Sequence, residues 1–355
     1  MRGVPTEIRS RRVDGVNGLS MHCLEAGDPG GRCVLLLHGF PELSYSWRKV
    51  MPTLARAGYH VIAPDQRGYG QTTGWDGRYD GDLASYRVMN LVQDCVALLA
   101  RLQIPHVNVV GHDFGSPVAA YCALSRPDVF RSVVLMSAPF GGTPDAPVDQ
   151  RIHAELAAMG RKHYQSYYST READADMRNC KQGIRAFLRA YYHYKSADWS
   201  GNRPHPLKAW SAAEFSKLPT YYIMNIDEDM ARTVAAHMPE SEPAWLTDQE
   251  LGVYADAFQA NGFQGGLQWY RCATSPEYVG QLKQFAGSSI DVPSMFIAGA
   301  ADWGIYQKPG DFERMQGAAC TQMLGCYLVP GAGHWVQQEQ PEVTSELLLD
   351  FLAER

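Results

Sequence analysis

Short, continuous apolar runs alternate with segments of helical periodicity over the first 140 residues of the chain. Continuous rather than alternating apolar character is typical of parallel strands buried on both faces. The runs are CVLLL (33–37), HVIAPD (60–65), VNVV (107–110) and SVVLMS (132–137). Helices are predicted between them over 46–58, 83–102 and 116–127, the first ending at Gly58 and the last stopped by Pro127. This order of strands and helices predicts a doubly wound parallel sheet.

The alternation stops at FGGTPDAP (140–147). Residues 148–285 contain no convincing strand but many helical stretches rich in Tyr, Trp, Met and charged residues. Strands return with PSMFIAGA (293–300) and CYLVPG (326–331), and EVTSELLLDFLAER forms a closing helix. The pattern therefore predicts a helical insertion between two halves of one sheet.

Side chains with catalytic chemistry follow several of these strands. The turn Gly111-His112-Asp113-Phe114-Gly115 has the G-x-S-x-G spacing of a nucleophile elbow, with aspartate in the serine position. Asp302 follows SMFIAGA, and His334 follows CYLVPG. Since the carboxyl ends of parallel strands meet at one edge of a sheet, we expect these side chains to lie together. Nucleophile, acid and histidine is the chain order of the α/β-hydrolase triad, which predicts Asp113 as nucleophile, Asp302 as acid and His334 as base.

Other residues compete for the last two roles. His112 precedes the nucleophile, so its side chain is expected to point away from the apex of the elbow. His38 opens a Gly-Pro turn, where a hydrogen bond to the backbone is the expected role. The loop GAGH supplies glycines that let the backbone present the ring of His334. Asp145 and Asp149 are alternative acids, but they lie further along a Gly/Pro loop, so the carboxylate after SMFIAGA is preferred.

Composition excludes several classes of partner. Charged residues make up 20% of the 355 residues, and the formal net charge is -6 without a basic block, which argues against nucleic acid and anionic membranes. The N-terminal MRGVPTEIRSRRVDG has no apolar signal region, and no segment approaches ~18 uninterrupted apolar residues, so a soluble cytoplasmic protein is expected. The eight cysteines lack C-x-x-C spacing and are expected to be reduced thiols. No residue set suggests a metal or an organic cofactor.

Four segments resemble the signatures of the epoxide hydrolases of the α/β-hydrolase superfamily, in that family's order, and the resemblance covers nearly the whole chain. They are HGFPELSYSWR (38–48), DQRGYG (65–70), GHDFG (111–115) and GAGHW (331–335). HYQSYY and LQWYR are similar to the segments that carry the family's two lid tyrosines, which places them at Tyr164 and Tyr270. Tyr167 and Tyr168 are alternatives to the first. Phe114 occupies a position that is often tryptophan in relatives.

The resemblance implies a mostly parallel eight-stranded sheet flanked by helices, with a core of residues 1–140 and 286–355 and a helical cap of residues 141–285. It implies hydrolysis of a small apolar epoxide by water to a vicinal diol. The two lid tyrosines would then hold the epoxide oxygen, and an oxyanion would bind backbone N–H groups. The N–H groups implied for the oxyanion are those of Phe40 and Phe114. The residues implied for an aromatic substrate pocket are Pro41, Trp269, Trp303 and Trp335. The oligomeric state, a homodimer included, is left open.

The aspartate in the elbow decides the kind of electrophile. A carboxylate that attacks an sp³ carbon forms an alkyl ester whose carbonyl belongs to the enzyme, and water can then attack that carbonyl. The substrate is therefore an epoxide or a compound with a carbon–halogen bond. A phenol, with a pKa near ~10, can protonate the alkoxide that an epoxide leaves.

Two alternatives to an epoxide hydrolase remain. A dehalogenase shares the three core residues, but it needs N–H donors for the halide, and Glu42 after the proline would repel that anion. A non-catalytic binding protein could use the same fold. The intact set of nucleophile, base and acid argues against it.

Overall fold

A computed structural model describes residues 4–143 and 150–353 of the chain. Within these residues the strands are β1 (Ile8–Val16), β2 (Leu19–Ala26), β3 (Cys33–Leu37), β4 (His60–Pro64), β5 (Val107–His112), β6 (Phe130–Met136), β7 (Arg161–His163), β8 (Ile223–Asn225), β9 (Ser294–Gly299) and β10 (Met323–Val329). Eight of them form one sheet in the order β1-β2-β4-β3-β5-β6-β9-β10. All pairs from β4 to β10 are parallel, whereas β1–β2 and β2–β4 are antiparallel. The predicted doubly wound sheet is confirmed.

Continuous apolar sequence corresponds to complete burial in the centre of this sheet. Every residue of β3, β4 and β5 is buried, because helices cover both faces. Leu37 pairs with Gly111, which brings the carboxyl ends of β3 and β5 side by side. The loops that follow these two strands therefore begin at the same edge of the sheet.

The antiparallel hairpin of β1 and β2 extends the sheet on the side of β4, and its two strands were not among the predicted ones. Asn17 and Gly18 connect the two strands with φ angles of +49° and +82°. An Asn-Gly pair is the residue pair that a tight two-residue hairpin turn favours, because both positions need positive φ. The mostly charged exposed positions of β1 hid the strand from a search for apolar runs.

The helices, in chain order, are α1 (Met51–Arg56), α2 (Val88–Arg101), α3 (Gly115–Ser125), α4 (Gln150–Ala158), α5 (Tyr164–Tyr168), α6 (Ala173–Arg178), α7 (Gly183–Lys195), α8 (Ala212–Phe215), α9 (Met230–Ala235), α10 (Asp248–Asn261), α11 (Gln264–Thr274), α12 (Pro276–Gln281), α13 (Asp311–Arg314), α14 (Val336–Glu339) and α15 (Pro341–Ala353). Single turns of 3-10 helix cover Ser44–Trp47, Leu83–Tyr86, Leu282–Phe285 and Trp303–Tyr306, and a π-helical turn covers Met315–Ala319. Among the described residues, no helix combines the length and the apolar character needed to span a membrane.

Two predicted helices are each divided into two elements. The helix expected over 46–58 is a 3-10 turn followed by α1, and Pro52 lies in the first turn of α1. Proline lacks an N–H and its ring would clash with the preceding turn, so the helix has to restart there. The helix expected over 83–102 is interrupted at Arg87, whose ψ of 144° is extended.

The helical segment from α4 to α12 lies between β6 and β9 in the chain, where the insertion was predicted. The expectation that it contains no strand is wrong, because β7 and β8 form a two-stranded antiparallel sheet. Strands of three residues are too short to show a period in the sequence. The segment contacts the loops at the carboxyl edge of the large sheet through Tyr192 Oη, which donates to Pro41 O at 2.8 Å. Arg48 and Glu250 add an ion pair at 2.8 Å across the same boundary.

Candidate active site

Asp113 lies at the apex of a sharp turn between β5 and α3, with a φ of +52°. Left-handed backbone is costly for most residues but is tolerated by aspartate and asparagine. The two flanking glycines are required by close packing. A Cβ on Gly111 would lie 2.1 Å from Gly115 O, and a Cβ on Gly115 would lie 2.4 Å from Leu37 O. The turn therefore presents the Asp113 carboxylate at the edge of the sheet.

His334 lies between Asp113 and Asp302. Its Nε2 is 3.1 Å from Asp113 Oδ2, and its Nδ1 is 3.1 Å from Asp302 Oδ1. Asp302 Oδ1 also accepts the N–H of Gly304 at 2.7 Å. The structure thus brings together the three residues that the strand ends predicted. Asp145 and Asp149, the alternative acids, lie outside the described residues.

Both carboxylates in this set are stabilised in the ionised form. Burial would raise the pKa of Asp113, but the hydrogen bond and the charge of His334 outweigh it and lower the pKa. Burial likewise opposes ionisation of Asp302, and the charge and hydrogen bond of His334 again outweigh it, so the pKa of Asp302 is lowered. An ionised Asp113 is a carboxylate available for nucleophilic attack.

The other oxygen of Asp113 is held by the loop after β3. The N–H of Phe40 donates to Asp113 Oδ1 at 2.9 Å. Gly39 lies directly against this side chain, since a Cβ there would be 2.3 Å from Asp113 Cβ. The Phe40–Pro41 peptide bond is cis. Phe114 directly follows Asp113 and is the residue before the first turn of α3.

Tyr164, at the start of α5, and Tyr270, on α11, both lie over this turn. Their rings are 5.8 Å apart, and the ring of Tyr270 packs edge-on against Phe114 at 5.0 Å. Burial and then the negative charge of Asp113 raise the pKa of both phenols well above the usual value. Both hydroxyls therefore stay protonated at neutral pH, close to the carboxylate.

The two neighbouring tyrosines have other partners. Tyr167 Oη donates to Asp176 Oδ2 at 3.0 Å, and Tyr168 Oη donates to Tyr191 Oη at 3.3 Å. Tyr164 Oη also has partners, since it donates to Gln307 Oε1 at 3.3 Å, in the loop after β9, and accepts from Gln165 Nε2 at 3.1 Å. After burial, the charge of Asp113 is the main cause of the raised pKa of Tyr164, whereas Asp176 follows burial for Tyr167 and Tyr191 follows it for Tyr168.

The predicted pocket tryptophans are all buried near this site. Trp269 packs against Phe114 at 5.2 Å, and its indole N–H donates to Arg67 O at 3.0 Å. Trp335 packs against His334 at 4.7 Å, and its indole N–H donates to Tyr192 O at 2.8 Å. Trp303 follows Asp302 directly and packs against His205 at 4.8 Å.

The two rival histidines are held in other interactions. His38 Nδ1 lies 2.9 Å from Gly39 O, and its Nε2 accepts the N–H of Gln66 at 3.1 Å. His112 Nδ1 lies 2.6 Å from Glu42 Oε2, and its Nε2 donates to His334 O at 2.7 Å. His38 thus makes the backbone contacts that its turn suggested. His112 reaches behind the elbow and supports the main chain of His334.

Lys195, at the end of α7, is a residue that sequence reasoning missed. Its ammonium group is buried among aromatic rings, 5.0 Å from the centre of Tyr222 and 5.4 Å from that of Trp335. Burial lowers the pKa of Lys195, and the charges of Asp113 and Asp302 oppose that shift. The available signal was a lysine at the end of the aromatic run YYHYK, which could not be placed without the packing of α7 on the sheet.

Comparison with known proteins shows the family of this chain. A family model described as alpha/beta hydrolase fold matches residues 32–341. Epoxide hydrolase B of Mycobacterium tuberculosis is 34% identical, over 96% of this chain and 97% of the relative, and epoxide hydrolase A of that organism is 34% identical over 99% and 98%. The crystal structure of epoxide hydrolase A from Mycobacterium thermoresistibile superposes with a TM-score of 0.80 at 31% identity, covering 98% of each chain. Potato (Solanum tuberosum) epoxide hydrolase I gives a TM-score of 0.77 at 29% identity, covering 98% of this chain and all of the other. With this likeness extending over fold and full length, the chain belongs to the epoxide hydrolases of the α/β-hydrolase fold family.

Proposed function

We propose that this protein adds water to a small apolar epoxide to give a vicinal diol through an ester on Asp113. The observation that carries the proposal is the position of one carboxylate. Its Oδ1 is 2.9 Å from the N–H of Phe40, its Oδ2 is 3.1 Å from His334, and two protonated phenols lie on its open side.

In the first step Asp113 attacks a ring carbon of the epoxide. A new C–O bond forms between the carboxylate and that carbon, and the ring C–O bond breaks. Tyr164 and Tyr270 hold the ring oxygen, and one of the two phenols transfers its proton to the departing alkoxide. The high pKa of both phenols supports this role, because they remain protonated over the physiological range and are ready to donate.

In the second step water attacks the carbonyl carbon of the Asp113 ester. His334 takes the proton from water, and Asp302 stabilises the imidazolium that forms. The tetrahedral oxyanion binds the N–H groups of Phe40 and Phe114. Collapse breaks the ester C–O bond, and the imidazolium gives its proton to the departing alkoxide. The carboxyl group that is left on Asp113 loses its proton, which reprotonates the phenolate. The balance is one epoxide plus one water to one diol, without a metal or a cofactor.

We infer that residues 141–285 act as a cap over a core formed by residues 1–140 and 286–355. The contact of Tyr192 with Pro41 supports this arrangement, and so do the rings of Trp269 and Tyr270 over Phe114. Aromatic walls favour an apolar substrate. All eight cysteines lie in described parts of the chain and are free thiols, which supports a reducing compartment such as the cytoplasm.

Two of the three pocket tryptophans argue against a dehalogenase with the same core, whereas the buried indole N–H of Trp303 has no acceptor among the described residues. Halide departure requires N–H donors directed at the anion. The indole N–H groups of Trp269 and Trp335 are already donated to backbone carbonyls, at 3.0 and 2.8 Å. Incubation with styrene oxide should therefore give diol, while a halide-release assay with a haloalkane should remain blank.

The decisive experiment follows one oxygen atom. With enzyme in excess over epoxide in heavy-oxygen water, the first-turnover diol should be free of label, because the transferred oxygen comes from Asp113. Label should then appear in the Asp113 carboxylate and, on later turnovers, in the diol. Label in the first-turnover diol would mean direct attack by water, and the ester mechanism would be wrong.

A further inference from the structure

We propose that Glu339 is a positioning residue for the hydrolytic step, whose carboxylate holds the main chain on both sides of His334 against the end of α7. The inference rests on the proposed role of His334 as the base that activates water. Glu339 itself does not contact the reacting atoms, so it would act through the histidine.

The Glu339 carboxylate accepts hydrogen bonds from three backbone N–H groups. Glu339 Oε2 accepts the N–H of Gly333 at 2.9 Å and the N–H of Ala197 at 2.8 Å. Its Oε1 accepts the N–H of Trp335 at 2.9 Å. Gly333 and Trp335 are the two residues that flank His334, whereas Ala197 belongs to the segment that leaves α7. The carboxylate therefore joins the histidine loop to the helical segment above it.

Other contacts hold the same two segments together. The N–H of His334 donates to Lys195 O at 2.9 Å. Gly333 packs directly on the α7 segment, because a Cβ there would lie 2.5 Å from the carbonyl carbon of Ser196. Both main-chain neighbours of His334 are therefore anchored, and from this loop the ring lies 3.1 Å from both Asp302 and Asp113.

The charge on Glu339 matters for this arrangement. Burial raises the pKa of Glu339 to about 7, and the three N–H groups oppose that shift. Asp198 lies nearby and also raises the pKa. Ionised, Glu339 offers two acceptor oxygens and no donor, which suits three N–H groups. Glutamine offers a single acceptor oxygen, and its NH₂ group would face an N–H, so at least one side of the loop would be released.

The two half-reactions should respond differently. Hydrolysis needs His334 within hydrogen-bonding distance of both the water and Asp302, and small displacements of a catalytic group cost rate steeply. Ring opening draws its proton from Tyr164 and Tyr270 and needs no base. A loosened histidine loop should therefore slow ester hydrolysis and leave alkylation nearly unchanged. A general loss of structure would slow both steps.

The test is a comparison of wild type, Glu339→Gln and Glu342→Gln at pH 8.5, where Glu339 is ionised. Glu342 is an exposed carboxylate three residues further along and serves as the matched control. Stopped-flow fluorescence with excess epoxide gives the alkylation rate, and quench followed by intact-mass measurement gives the fraction of enzyme present as ester. For Glu339→Gln we expect hydrolysis to fall about ten- to a hundredfold, alkylation to change less than twofold, and ester to accumulate. Glu342→Gln should behave as wild type.

Equal loss of both rates, or no loss of hydrolysis, in folded Glu339→Gln would overturn the inference. If that variant does not fold, Ala197→Pro decides, because it removes one of the three N–H donors while leaving the carboxylate in place. Ser196 has a ψ of 172°, the extended conformation that a following proline requires. A smaller but selective loss of hydrolysis is expected, and an unchanged ratio of the two rates would contradict the proposal. Failure of the proposed function is separate, since wild type would then form no ester at all.

Discussion

Nδ1 of His112 lies 2.6 Å from Oε2 of Glu42, and both side chains are completely buried. The other ring nitrogen of His112 donates to His334 O at 2.7 Å, so both nitrogens face acceptors and the imidazole carries a positive charge. Burial lowers the pKa of His112, but the charge and hydrogen bond of Glu42 outweigh it and raise it. Burial raises the pKa of Glu42, and His112 outweighs it in turn, so that pKa is lowered. A buried ion pair therefore lies directly behind Asp113 and His334.

Replacing Glu42 by glutamine should lower the free energy of unfolding by about 3–5 kcal/mol, because it leaves a buried histidine without its counter-charge. Urea denaturation followed by circular dichroism measures the loss. Glu25→Gln is a matched control, since Glu25 pairs with His60 at 2.7 Å on strands away from the site. Both variants should be destabilised, but only Glu42→Gln should also slow diol formation. If the two variants form diol at the same rate, the pair of Glu42 and His112 does not contribute to the reaction.

The pH dependence of this stabilisation follows from the two opposite shifts. The raised pKa of His112 gives stability that is complete below the unfolded value of 6.5 and is lost as pH rises through the folded value. The lowered pKa of Glu42 gives stability that is complete above the unfolded value of 4.5 and is lost as pH falls through the folded value. The difference between wild type and Glu42→Gln should be largest between pH 4.5 and 6.5. It should shrink in alkaline buffer.

The residues of the elbow and the triad could be predicted from the sequence because each follows a short apolar run. The end of such a run predicts the end of a buried parallel strand, and Gly111 and Gly115 indicate the turn around Asp113. Lys195 and Glu339 could not be predicted in this way. Their contacts join residues far apart in the chain, and a lysine or a glutamate on a helix is normally solvated. Their roles depend on how α7 packs on the loop of His334, which no local pattern encodes.

The lid tyrosines can be tested by removing one hydroxyl at a time. Tyr164→Phe and Tyr270→Phe should each slow alkylation at least about tenfold, and the double variant about a thousandfold or more, because general acid catalysis contributes on this scale. Tyr167→Phe is the matched control, since that hydroxyl donates to Asp176 and should leave alkylation unchanged. Stopped-flow quenching of tryptophan fluorescence measures the step. If alkylation is slow in Tyr167→Phe and normal in Tyr164→Phe, the first lid tyrosine is Tyr167 and not Tyr164.

Lys195→Met tests whether a buried cation supports ionisation of Asp113. The pKa of Asp113 is lowered in the fold, so the alkylation rate of wild type should stay level in acid down to the pH at which the protein unfolds. Loss of a positive charge nearby raises the pKa of that carboxyl. The variant should then lose alkylation at a pH about one unit or more above that at which wild type loses it, so that an acid limb becomes visible in its profile. Lys195→Arg keeps the charge and should keep the wild-type profile.

His334→Gln separates the two half-reactions. Ring opening takes its proton from the tyrosines, so Asp113 should still be alkylated, whereas water without a base is too weak a nucleophile to cleave the ester at neutral pH. After mixing with excess epoxide, intact-mass measurement should show the chain heavier by one whole substrate, and proteolysis should place that mass on the peptide containing Gly111 to Gly115. Asp113→Ala combined with His334→Gln is the control and should gain no mass. An unmodified His334→Gln chain that still forms diol would show that a group other than His334 activates the water.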